Sequence, residues 1–325
     1  MEEKLSTLKE RFGSIPNESG LTRKMRVHQG WWRTNVLHEE AGLHPINTTQ
    51  NVCNTILDGK NNEKNFLTPN SMKAVKDTLS MRTKENVGMI EEDRLFNNLL
   101  SSQPLCFNFF GELYADHDFG LLVLKIFYKN LTKLNNVFFE YAPIENYTND
   151  RSAFDIAFEV EEGDKKGLIG FECKYTDTFS FKPSKSKIFY GDKDNKNHNA
   201  YFGIYNKSKP NFVGDYYTFV KSKDFNQLFR NQLIAEALIQ NKKYDFVYTG
   251  LFCYQDDESA TKTAENFKKM LSHPDSFQLI TYKDFISKTQ QLELDWGKRE
   301  WTMLLWARYC GIELSKNTTT KLNDN

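Results

Sequence analysis

The stretch that decides the fold is Ser152-Ala153-Phe154-Asp155-Ile156-Ala157-Phe158-Glu159-Val160, then a polar turn centred on Gly163 and Asp164, then Gly167-Leu168-Ile169-Gly170-Phe171-Glu172-Cys173-Lys174-Tyr175. Alternating β-branched and aromatic residues on either side of a Gly/Asp turn are the signature of a β-hairpin. A turn centred on those two residues places Asp155 opposite Glu172. Side chains alternate along a strand, so Phe154, Ile156, Phe158 and Val160 are expected on one face with Asp155 on the other. Glu172 and Lys174, two apart, point the same way. Two carboxylates and one amine therefore converge on one face of the sheet.

Like charges directly opposite each other are unfavourable. A divalent cation between them reverses the sign, and oxygen donors of this kind suit Mg²⁺. The same pattern also fits an exposed hairpin in which Lys174 neutralises a chance acidic pair.

This arrangement resembles the PD-(D/E)XK nuclease superfamily, in which an Asp near the end of one strand is followed by Glu-X-Lys on the next. The matching residues are Asp155 and Glu172-Cys173-Lys174. Ala153-Phe154-Asp155 stands where the pattern has Pro-Asp. Two longer stretches, Phe171-Glu172-Cys173-Lys174-Tyr175-Thr176-Asp177 and Arg94-Leu95-Phe96-Asn97-Asn98-Leu99-Leu100-Ser101-Ser102-Gln103-Pro104-Leu105-Cys106-Phe107-Asn108, look like a bacterial restriction-endonuclease-like family. The similarity runs from about Arg26 to Ala237.

The resemblance implies an α/β fold: a restriction-endonuclease-like αβββαβ core with a mixed central sheet and helical N- and C-terminal additions. It implies Asp155, Glu172 and Lys174 as catalytic residues. Asp155, Glu172 and the Cys173 carbonyl would be ligands of Mg²⁺, for which Mn²⁺ can substitute. Glu112 is the candidate for the extra acid that a helix before the first strand often brings. The implied substrate is DNA, in restriction or antiphage defence, with a partner protein of a defence system and a homodimer as further candidates. A catalytically silent module that binds nucleic acid or a partner protein, or an RNase, is the alternative.

The bulk composition bounds these readings. The 325 residues are 39% hydrophobic and 14% aromatic, enough for a packed core. No apolar run approaches the ~20 residues of a membrane span, and no signal peptide is apparent behind Met1-Glu2-Glu3-Lys4. Five cysteines without metal-knuckle spacing fit buried thiols in a reducing cytoplasm. The six scattered histidines argue against zinc. Lysines and arginines number 43, as do the acids, so nucleic acid would have to be gripped by a local basic groove rather than by net charge.

Three segments follow: a helical and loop extension over 1–90, a nuclease core over 91–255 with a basic insert at about 177–222, and an α/β addition with a polar tail over 256–325. Arg23, Lys24, Arg26 and Arg33 around Trp31 and Trp32 read either as a backbone grip or as a helix with core tryptophans. Residues 41–70 read as loops, with a helix over Ser71–Thr78. Pro104 is expected to break or kink the apolar stretch Asp93–Leu113. Further helices are expected over Asp118–Leu131, Asp224–Gln240, Ala260–Leu271 and Trp296–Gly311, and strands over Val137–Ala142, Phe246–Cys253 and Phe277–Thr281. Between Lys182 and Lys209 lie seven lysines and two aspartates with interleaved aromatics. That insert reads as a solvated loop or as a DNA-facing arm.

Overall fold

The computed structural model describes residues 19–43, 51–82, 89–176, 196–222 and 224–316. The N-terminal residues 1–18, residues 177–195 of the insert and the polar tail from 317 lie outside them; the described part of the insert is largely helical, over Lys196–Ser208 and Tyr216–Lys221, rather than the expected loop.

Helix α1 (Gly20–Trp32) begins at Ser19, whose hydroxyl accepts the Thr22 N–H at 3.0 Å, satisfying one of the orphan donors of a first turn. The tryptophans and arginines after it are mostly structural. Trp32 is buried, Arg26 donates to Asn54, and Arg33 donates to the carbonyls of Cys53 and Glu39. Arg23 and Lys24 alone of that group are exposed.

The expected loop over 41–70 instead contains strands β1 (Ala41–Leu43) and β2 (Asn51–Ile56), paired antiparallel, and helix α2 (Gly59–Asn62). Polar residues disguised the second strand. Asn54 donates to Asn98, and Thr55 donates to the Gly42 carbonyl, so both are satisfied inside the ribbon.

Helix α3 (Pro69–Arg82) is longer than expected, and α4 (Glu92–Asn97) and α5 (Ser102–Ala115) are separate helices. The break lies at residues 98–101 rather than at Pro104. That proline is the third residue of α5, in the first turn, where its missing N–H costs no intrahelical bond. Helix α6 (His117–Lys125) is capped by Asp116 and ends earlier than expected.

The central sheet has the order β3 (Lys133–Tyr141), β4 (Phe154–Glu162), β5 (Lys165–Lys174), β6 (Phe246–Cys253), β7 (Phe277–Thr281). Strands β3, β4 and β5 form an antiparallel meander; β6 and β7 join parallel. Parallel neighbours need a crossover. The one from β5 to β6 contains α7 (Lys196–Ser208), α8 (Tyr216–Lys221) and α9 (Asn226–Gln240), and the one from β6 to β7 contains α10 (Glu258–Lys268). Helices α11 (Tyr282–Thr289) and α12 (Trp296–Leu305) follow, and the expected helix over Trp296–Gly311 turns π-helical from Trp306 to Cys310 before a 3-10 segment over Ile312–Ser315. This is the expected mixed α/β fold.

The larger core joins α5 side chains such as Phe109 and Phe110 to Ile156, Phe158, Val160, Ile169 and Phe171. The opposite face packs Ala157 and Leu168 against Ile234, Ala235 and Leu238 of α9. Phe154 corrects the alternation read from sequence, because it lies with Ala157 on the α9 face. Its ring covers Gly170, where a Cβ would stand 2.6 Å from ring atoms. Gly250 is similarly constrained: a Cβ there would meet the Phe171 ring at 2.4 Å and the Gln278 carbonyl oxygen at 2.5 Å. Gly250→Ala is therefore expected to destabilise the fold by about 1–3 kcal/mol, the usual cost of overpacking. An unchanged urea midpoint would contradict that tight approach.

A buried polar knot ties α1, the segment around Asn65 and the segment after α12 to the end of β5. Arg308 donates to the Asn65 carbonyl at 2.7 Å and to the Asn65 side chain at 2.5 Å. Gln29 donates to the Arg308 carbonyl at 2.9 Å and to the Tyr175 hydroxyl at 2.6 Å. Tyr175 directly follows Lys174.

Candidate active site

The turn sets the register. Glu162 and Lys165 pair across Gly163 and Asp164, Gly163 has φ +59°, and the ladder continues to Ile156 opposite Phe171. The paired ladder ends there, and Asp155 and Glu172 are the residues just beyond it on the two strands. On the other side of β4, the pairs Phe139–Ile156 and Tyr141–Phe154 bracket Glu140, which is level with Asp155. Three acids therefore stand abreast on three neighbouring strands. Glu140 has φ +51°, a left-handed conformation inside a strand, which costs energy for a non-glycine residue.

Asp155 Oδ2 accepts the backbone N–H of Cys173 at 2.6 Å. Burial drives its carboxyl well above the usual range; the charge of Glu172 and then that of Glu140 push the same way, against the Cys173 N–H and Lys174. Glu140 is raised to about 7, by burial first and then by Glu172, opposed by a hydrogen bond from Gln103 Nε2 at 3.3 Å and by Arg94.

Glu172 and Lys174 are both buried. Lys174 Nζ lies 3.0 Å from Glu172 Oε1 and donates to Gln227 Oε1 at 2.7 Å. Gln227 Nε2 donates back to Glu172 Oε1 at 3.0 Å, and Asn231 Nδ2 donates to Glu172 Oε2 at 2.9 Å. Both amides come from α9. The Cys106 thiol of α5 interacts with Cys173 and with Asp155, Glu140 and Glu172, and burial pushes it up to about 11. All five cysteines are buried and free.

The structure thus brings together Asp155, Glu172, Cys173 and Lys174. It does not bring Glu112 to them. The Glu112 carboxylate accepts from Asn70 Nδ2 at 2.8 Å, and the α5 residues that face the acids are Cys106 and Gln103, roughly two turns or more nearer the helix N-terminus. The acid adjoining the pair is Glu140. The sequence does not set its alignment with Asp155, because a 12-residue connection separates β3 from β4 and leaves their register open.

Among the described residues, no three His, Cys, Asp or Glu side chains stand close enough to hold a metal ion together. A donor set of two carboxylates and one backbone carbonyl needs no third side chain. Mg²⁺ commonly takes one or two carboxylates and completes its shell with water. Two neighbouring acids, with the Glu172 charge helping to hold a proton on Asp155, fit a cation there.

A mixed sheet flanked by helices, with paired acids and a lysine at the end of its meander, defines the restriction-endonuclease-like class of α/β fold. The chain belongs to the PD-(D/E)XK nuclease superfamily, whose family model matches residues 16–311. No curated protein and no solved structure matches it. Among the described residues, no helix is long and apolar enough to cross a membrane.

Proposed function

We propose that this protein is a metal-dependent endonuclease that hydrolyses phosphodiester bonds of DNA, acting in the cytoplasm in restriction or antiphage defence. The observation that carries the proposal is the meeting of Asp155, Glu172 and Lys174 at the end of the β4–β5 hairpin, with Lys174 3.0 Å from Glu172. Membership of the nuclease superfamily supports the reaction class. DNA and the defence setting rest on the likeness of residues 94–108 and 171–177 to restriction-endonuclease-like proteins.

Asp155, Glu172 and the Cys173 carbonyl would hold Mg²⁺, with Mn²⁺ able to substitute. When bound, the ion supplies a water of lowered pKa and neutralises charge building on the scissile phosphate. The chain's own part is positional and electrostatic. The Cys173 N–H fixes one Asp155 oxygen, the α9 amides fix both Glu172 oxygens, and Lys174 brings a cation to where the phosphoryl oxygens gain charge.

Purified protein incubated with linear duplex, plasmid, single-stranded DNA and RNA, with Mg²⁺, Mn²⁺ or chelator, tests the reading. Duplex DNA is expected to be cut only when metal is present. Cleavage of RNA with DNA spared would replace the substrate. Cleavage of nothing, or equal cleavage in chelator, would remove the reaction.

A further inference from the structure

One face of α9 grips both strands of the candidate site. Gln227, Arg230 and Asn231 lie at i, i+3 and i+4, so they project together. Gln227 and Asn231 hold the β5 residues as described. Arg230 Nη2 pairs with Asp150 Oδ2 at 2.8 Å and also donates to Ser152, while Arg230 Nε donates to the Tyr201 hydroxyl at 3.2 Å. Tyr201 in turn donates to Asp150 at 2.8 Å. Ser152 is three residues before Asp155. The same helix thus fixes the entry to β4 and the acid–amine pair of β5.

Gln227 has a place that few side chains can fill. Its carbonyl oxygen accepts from the Lys174 ammonium, and its amide N–H donates to Glu172. The primary amide offers Lys174 an acceptor and Glu172 a donor from one side chain. The opposite orientation of the amide would set donor against donor and acceptor against acceptor. We infer that Gln227 is a positioning residue of the proposed nuclease, one that sets the spacing between Lys174 and Glu172. The inference rests on the nuclease reading for its kinetic consequence and on the hydrogen bonds alone for its effect on the acids.

Gln227→Met deletes both ends of the amide at nearly constant volume. Gln227→Glu keeps the acceptor for Lys174 and replaces the donor with a second carboxylate facing Glu172. Two measurements are made on each: steady-state cleavage of duplex DNA with saturating Mg²⁺, and Mn²⁺ titration of the protein without nucleic acid, read by calorimetry. Removing a group that orients a ligand of a metal typically costs about 10–100-fold in affinity or activity. Both variants are expected to lose kcat by about that factor with KM held within about twofold. Gln227→Met is also expected to weaken Mn²⁺ binding by about tenfold or more. A merely structural glutamine would leave kcat and the Mn²⁺ constant unmoved in whichever variant folds, and that result overturns the inference. If the wild type cleaves no nucleic acid, the nuclease reading fails, but the Mn²⁺ arm still decides: an unchanged constant in Gln227→Met rejects positioning, and a weakened one supports it.

Discussion

Asp155→Asn is expected to lose about 10²–10³-fold of Mg²⁺-dependent cleavage, as removal of one group stabilising the transition state does. Its fold is expected to survive, because an asparagine oxygen can still accept the Cys173 N–H that Asp155 accepts at 2.6 Å. The metal-free variant should even gain stability over wild type at alkaline pH. Burial, Glu172 and Glu140 raise the Asp155 carboxyl well above its unfolded value. A group raised in the folded state contributes stability in acid and loses it as pH climbs through the folded value. The ionised, metal-free Asp155 is therefore a liability that asparagine removes. Mn²⁺ should raise the melting temperature of wild type and leave that of Asp155→Asn unmoved, since only a cation bound to the native state can stabilise it. Glu172→Gln and Lys174→Met should share the loss of cleavage. Full activity in any of the three would dissolve the assignment.

Why so much of this site could be read from the chain comes down to one turn. Gly163 and Asp164 leave a two-residue connection, and the strict alternation of a strand then decides which acids meet. Other features depend on contacts that alternation does not encode. Phe154 leaves its expected face because Gly170, with no side chain, opens room for a ring on the other one. Glu112 looked plausible by its place in the chain, yet helix α5 turns Gln103 and Cys106 toward the acids and Glu112 toward Asn70. The ribbon strand Asn51–Ile56 hid behind Asn54 and Thr55, whose polarity reads as loop until their partners are known. The Gln227 and Asn231 amides sit on a helix whose apolar stripe was legible, but what a polar face touches depends on the crossover that brings it over β5.

Glu140→Gln carries the other large effect, and it is one of pH. The ordinary glutamate value is 4.5, and burial lifts Glu140 to about 7, with the Glu172 charge adding to it. Because the folded value is the higher one, Glu140 supports the metal-free fold fully in acid. That support fades as pH rises past the ordinary value and through about 7. Glutamine carries no charge to lose, so the variant's melting temperature should flatten across that window and exceed that of wild type at pH ~8, by a free energy on the order of 2–3 kcal/mol. Cleavage should respond as well. The Glu140 charge is one of the forces that hold a proton on Asp155. Removing it lets Asp155 ionise, and so take a cation, at lower pH. The acid limb of the cleavage profile is therefore expected to move down in Glu140→Gln while activity at high pH stays within about tenfold, the lower end of what neighbours of a ligand usually cost. An acid limb that stays in place would mean that Glu140 does not govern Asp155. A complete loss of activity at every pH would instead make Glu140 a ligand in its own right.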